Sequence, residues 1–118
     1  MPDAFGPYVR DKREALKAAS ADYSVRRVAA RIGLEPSYLS KIERGKQPPP
    51  SEEKIRALAK ELQEDADVLL AMAGKISTDL QEAIRSRPQL FAELIRDLKD
   101  LPDHAVLRVV REVRDGSW

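Results

Sequence analysis

Cysteine is absent from the chain. That excludes a disulfide framework and any thiolate metal centre, and it fits a reducing compartment. Histidine occurs once, at His104, so no histidine cluster is available for metal binding. Aromatic residues make up only 5% of the chain, which leaves a core to be built from aliphatic side chains. No apolar run approaches the ~20 residues of a membrane span. Near the N-terminus, Arg10, Asp11, Lys12, Arg13 and Glu14 break up any apolar signal core. There is no glycine-rich phosphate loop and no set of carboxylates at ligand spacing. These absences argue against an enzyme and give no expectation of a cofactor or metal. They lead to the expectation of a cytoplasmic protein that does not engage the membrane.

What is present is charge. Of the 118 residues, 35% are charged and 42% hydrophobic, enough for one helical domain or one domain with an appendage. The net charge is +1, but it is unevenly spread. Residues 1–50 hold 10 Lys/Arg against 6 Asp/Glu, and residues 51–118 hold 11 against 14. The first half is therefore +4 and the second −3, a basic surface of the kind that meets phosphate.

The basic half contains the stretch Val25 to Gly45. It reads as two short helices joined by a tight turn. Val28 and Ile32 share one face of the first helix, four residues apart. Leu39 and Ile42 share one face of the second, three apart. Gly33 stands where the chain must leave the first helix, a place for a left-handed backbone. Pro36 suits the first turn of the second helix, where its missing N–H is not needed. Ala29 is small where two crossing helices approach. With Leu39 and Ile42 turned inward, the second helix presents Ser37, Ser40, Lys41 and Arg44 outward. Small residue, turn glycine and four apolar contacts at these intervals are what a DNA-binding pair of helices requires.

The rest of the chain also reads as helix. Met1–Phe5 is expected to fray, although Phe5 also fits the inner face of a first helix. That helix runs roughly Pro7–Ala19, opened by Pro7, with Val9, Leu16 and Ala15 inward and Lys12 facing water. Residues 20–23 form a linker whose Tyr23 plugs the gap to the next helix. Ser24 caps the helix at 25–32, and the outward-reading helix covers 36–44. Lys46 to Pro50 is a stiff connector. Ser51 caps a fourth helix carrying Ile55, Leu58, Ala59 and Leu62, followed by a turn at Gln63-Glu64. Asp65 caps a fifth, Ala66–Ala73, whose Val68, Leu69, Leu70 and Met72 are apolar enough to be buried, and Gly74 stops it. Beyond it, Ser77 or Thr78 caps a helix that ends before Pro88. Another covers Gln89–Leu98, and a last one starts at Pro102 or Asp103.

The run Ser37-Tyr38-Leu39-Ser40-Lys41-Ile42-Glu43-Arg44-Gly45, in register with Val28, Ala29, Ile32, Gly33 and Leu34, resembles the phage-repressor or Cro-type (XRE) helix-turn-helix family. The resemblance covers about residues 5–74. It implies an all-α fold: a five-helix lambda-repressor-like DNA-binding domain (1–74) followed by a C-terminal helical extension of two to three helices (75–118). It implies a bacterial or phage protein whose partner is double-stranded DNA with a palindromic operator.

The roles follow residue by residue. Positions matching Pro36, Ser37 and Lys41 line the major groove in the family, so these are the expected base contacts, with Ser40 secondary. Lysine suits guanine O6 and N7, and Pro36 a thymine methyl. Tyr38, on the flank, has two readings, a nucleic-acid contact or packing against the preceding helix. Phosphate contacts are expected from Ser24, Arg26, Arg27, Arg44, Lys46 and Gln47. The glutamine that many relatives use to clamp a phosphate is Val25 here, and Arg26 substitutes for it. Arg13 and Glu43 resemble the family's buried ion pair.

Such proteins usually dimerise to match two half-sites. The last third has more apolar residues than one small core needs. Leu90, Phe91, Leu94, Ile95, Leu98, Val106, Leu107, Val110 and Val113 form the expected homodimer surface. The function expected is transcriptional regulation, as a homodimeric repressor of its own or a neighbouring operon. The alternative is an antitoxin-type regulator whose C-terminal helices, within 75–118, bind a toxin or other protein.

Overall fold

The structure, a computed structural model, describes residues 4–118. Among them it is all-helical, and it divides into a unit ending at Thr78 and a second unit, Asp79–Trp118. The first unit holds α1 (Phe5–Lys17), a 3₁₀ turn (Ala21–Tyr23), α2 (Val25–Ile32), α3 (Pro36–Glu43), α4 (Glu52–Leu62) and α5 (Ala66–Met72). The second consists of α6 (Thr78–Ser86), which starts on the boundary residue, α7 (Pro88–Leu98) and α8 (Asp103–Asp115).

The first unit closes around a single aliphatic core with one aromatic residue. Phe5 and Val9 come from α1, Val28, Ala29 and Ile32 from α2, and Leu39 and Ile42 from α3. Ile55, Leu58, Ala59 and Leu62 line α4, and Leu69 and Leu70 come from α5. The spacings of three and four put these residues on one stripe of each helix. The helix starts are set locally. Ser24, Ser51 and Asp65 accept from first-turn backbone N–H groups of α2, α4 and α5, which satisfies donors that the helix itself cannot. Gly33 ends α2 at φ +76°, in the left-handed region glycine occupies freely. Lys54 Nζ adds a second stop there, donating to the Ile32 carbonyl at 2.9 Å.

Several boundaries differ from the sequence expectation. The fraying expected of Met1–Asp3 lies outside the described residues. Phe5, expected to fray with them, is fully buried and opens α1, so Pro7 is the third helical residue rather than the first. The helix stops at Lys17, and Ala15 faces solvent. Gly6 explains the early start. A Cβ there would stand 2.3 Å from the Ile42 carbonyl oxygen, so α1 crosses the end of α3 at backbone distance. Only a residue with no side chain permits that approach. The linker is a capped 3₁₀ turn, with Ser20 Oγ accepting from Asp22 N–H. Lys12 is not simply solvated: it pairs with Glu64 at 2.8 Å, and Tyr8 donates its hydroxyl to the same carboxylate. Val68 is half exposed and α5 buries only Leu69 and Leu70, because a helix at the edge of a small core has one inner face.

The second unit has helices but no core. Nothing from Asp79 to Trp118 is buried. Phe91 and Leu98 of α7 and Ala105, Val106 and Val109 of α8 are half-buried. Leu90, Leu94, Ile95, Leu107, Val110 and Val113 are exposed. No helix among the described residues is long and apolar enough to cross a membrane.

Candidate nucleic-acid interface

Two helices and the turn between them form the candidate site. The side chains of Val28, Ala29 and Ile32 face those of Leu39 and Ile42 in the common core, which fixes α2 and α3 against each other. A buried ion pair adds a second constraint. Arg13 Nε donates to Glu43 Oε2 at 2.7 Å and its Nη2 to Oε1 at 2.9 Å, while Nη1 donates to the Tyr23 carbonyl at 3.1 Å. Both side chains are 4% exposed. The bidentate geometry is the strong form of such a pair. Hydrogen bonding to Glu43 holds the Arg13 guanidinium above its ordinary pKa, against the opposing effect of desolvation. The pair thus ties α1 to the end of α3 and, through Tyr23, to the entry of α2.

With the inner face of α3 fixed, the opposite face is left open. Pro36, Ser37, Lys41 and Arg44 are exposed. Ser37 and Lys41 lie four residues apart, one turn of helix, and so share a ridge. Pro36 occupies the first turn, where its ring displaces no hydrogen bond. Ser40 is half-buried on the edge of the ridge. Tyr38 is also half-buried and packs against the core, which favours the packing role of its two readings. Arg44 turns back along the helix, its Nε donating to the Ser40 carbonyl at 3.3 Å.

The expected phosphate-contacting residues differ in what already holds them. Arg26 and Lys46 are exposed and make no ion pair among the described residues. Gln47 is half-buried at the start of the connector. Ser24 Oγ accepts from Arg27 N–H at 3.2 Å, which leaves its own proton free to donate. Arg27 is engaged: its Nη1 lies 2.6 Å from Asp22 Oδ1. Reading the sequence missed Asp22. The available signal was an acidic residue in the turn two positions before the α2 cap. Arg31, the next cation on α2, is held by Glu61 at 2.6 Å and stacks over Tyr23 with its guanidinium carbon 5.4 Å from the ring centre. Nothing in the local sequence could pair Arg31 with a residue thirty positions away. Among the described residues, no group of three or more His, Cys, Asp or Glu side chains is placed to hold a metal ion.

An exposed helix with a short polar ridge, flanked by unpaired cations and backed by a rigid core, is a surface that can enter a groove and meet phosphate on both sides. No curated protein and no solved structure matches the chain. A family model for the helix-turn-helix domain matches residues 4–72, which covers α1 to α5. The chain belongs to the helix-turn-helix domain family, and that membership implies DNA binding.

Proposed function

We propose that the protein is a sequence-specific regulator of transcription that binds double-stranded DNA as a homodimer. It represses its own or a neighbouring operon by covering the operator, and its family type is the phage-repressor or XRE class. The observation that carries this reading is the exposed ridge of α3, Ser37 and Lys41, on a helix whose other face is locked into the core. In this reading Lys41 reads guanine, Ser37 assists, and Pro36 meets an apolar base edge. Arg26 and Lys46 anchor the backbone, joined by Ser24 at the N-terminus of α2. Ser40 and Arg44 border the ridge, and Tyr38 supports it from beneath.

The homodimer rests on the second unit. Leu90, Leu94, Ile95, Leu107, Val110 and Val113 are the exposed part of the expected surface. Phe91, Leu98 and Val106, also expected there, are half-buried. Apolar strips of this kind on two short helices mark an association surface.

The test is selection of DNA from a random pool with the full chain. An enriched site with twofold symmetry, its half-sites about 10 base pairs apart, is the expected result. A pool that enriches no sequence sinks sequence-specific recognition. A single unrepeated half-site sinks the symmetric dimer while leaving recognition intact. Lys41→Ala should lose ~1–3 kcal/mol of discrimination at one base pair, and unchanged preference would remove Lys41 from base readout.

A further inference from the structure

The second unit carries two charged stripes that match each other in spacing and oppose each other in sign. On α7, Glu93 and Asp97 are exposed, four residues apart, and they border the exposed Leu90 and Leu94. On α8, His104, Arg108 and Arg111 follow at intervals of four and three, the same helical ridge. They edge an open groove of about 800 Å³ that is lined with Leu101, Ala105 and Val109. Among the described residues no carboxylate lines that groove, although Glu112 and Asp115 follow Arg108 and Arg111 by four residues each on α8, beyond its lining. Among the described residues, every ion pair lies between Arg10 and Glu64, so neither stripe is paired within its own copy.

We infer that the groove on α8 receives α7 of a second copy of this chain. Leu90 and Leu94 lie on the groove floor, and Glu93 and Asp97 face Arg108 and Arg111 across the rim. The inference rests on the homodimer reading above and specifies which surfaces meet: on α8 the contact runs along Leu101, Ala105 and Val109 rather than the exposed Leu107, Val110 and Val113. Twofold symmetry makes the arrangement reciprocal, since α7 of each copy enters the α8 groove of the other and the interface closes with two identical contacts.

Three observations favour a second copy over another occupant. The first is charge. An acidic helix edge with leucines beside it is what the cationic groove fits, and the chain supplies that edge itself. The second is size. Leu90 and Leu94 are 63% and 45% exposed. With the exposed Ile95 they give α7 an uncovered apolar face of the kind that marks an association site. Two reciprocal contacts bury twice the area that one would. The third is the lack of a core. The unit, residues 79–118, buries no residue of its own. Units of about 40 residues ordinarily need oligomerisation, a disulfide or a metal to hold together, and this chain has no cysteine.

The experiment reverses each stripe in the full chain and measures association by sedimentation, with circular dichroism to verify helix content. One variant is Arg108→Glu with Arg111→Glu. A second is Glu93→Lys with Asp97→Lys. A third carries all four changes. The wild-type chain is expected to sediment as a dimer. Each two-residue variant alone should raise the dimer dissociation constant on the order of 100-fold, because like charges then face each other. An equimolar mixture of the two should dimerise again, since each contact regains opposite charges, and the four-residue variant should dimerise with itself. Two-residue variants that dimerise as tightly as wild type overturn the inference. So do variants that neither mixing nor the four-residue combination restores. A monomeric wild-type chain overturns the homodimer reading itself, a different failure, and directs attention to a partner of another sequence.

Discussion

The two units of this chain solve helix packing in opposite ways. Among its described residues the first buries thirteen apolar side chains from five helices and pairs its buried charge within the same fold. The second has three helices of comparable length, each amphipathic, and buries none of its residues. Helices of both units are amphipathic, so periodicity alone does not distinguish a finished core from half of one. The difference is one of closure. In the first unit Gly6 lets α1 reach the backbone of α3, and the connector after α3 returns the chain so that α4 covers α2. In the second, Phe91 and Leu98 are only half-buried while the flanking leucines and valines stay outside. A helix that is apolar over a wide arc and covered over only part of it leaves surface for a partner.

Separating the units breaks the comparison most severely. A chain ending at Thr78 keeps every buried residue, since none lies beyond Ser77. It should retain a cooperative unfolding transition and sediment as a monomer, whereas the full chain sediments as a dimer. Loss of cooperativity would show that the second unit completes the first core. A dimer of the shortened chain would move the association surface into the first unit.

Next in size is the buried pair. Glu43→Ala leaves the Arg13 guanidinium 4% exposed without its carboxylate. Removing one partner of a buried pair costs about 3–5 kcal/mol. Urea unfolding should show that loss. A change under about 1 kcal/mol would mean that the Tyr23 carbonyl and relaxation toward solvent satisfy Arg13 unaided.

A smaller, pH-dependent effect belongs to Glu64. Lys12 first, and then the Tyr8 hydroxyl, hydrogen-bond this carboxylate and hold it below its ordinary value of 4.5. A depressed carboxylate contributes stability that is fully present above the unfolded value and is lost as pH falls through the folded one. The first unit should therefore weaken below about pH 4.5. Glu64→Gln should be less stable at neutral pH and lose less between pH 5 and 3. Parallel pH profiles for the two proteins would remove Glu64 from the acid response.

Much of the first unit was legible because its signals are local. Ser24, Gly33, Ser51 and Asp65 set helix ends through bonds within three residues, and the sequence shows them directly. The inner face of α3 followed from Leu39 and Ile42, and the outer ridge from what those two leave behind. The start of α1 was not legible. Gly6 reads as the residue just before a helix opened by Pro7 until its neighbour across the fold, the Ile42 carbonyl, is known. Arg31–Glu61 and Lys12–Glu64 were hidden for the same reason, since both join elements far apart in the chain. The expected association surface mixed two populations. Phe91 and Val106 share the periodicity of Leu90 and Leu107, and only packing separates the supporting residues from the exposed ones.

The finest test lies inside the first unit, where a basic face carries its own anion. Asp22 Oδ1 sits 2.6 Å from Arg27 Nη1, at the entry to α2, on a pair that is more than half exposed on both sides. If Arg27 meets a backbone phosphate, it must share or surrender this carboxylate, and Asp22 also repels the strand it approaches. Exposed pairs of this kind are worth about 0.2–1 kcal/mol. Asp22→Asn should accordingly tighten DNA binding by up to about fivefold, on any sequence, because phosphates carry no sequence information. The dependence of affinity on salt should steepen by up to about one unit, as the cation facing the DNA is no longer offset. In an Arg27→Ala background most of that gain should disappear, since the competitor would then have nothing to compete for. A weaker Asp22→Asn complex would give the opposite meaning to the same geometry: the carboxylate would be holding Arg27 in the pose that phosphate requires, and the acidic residue would belong to the binding face rather than oppose it.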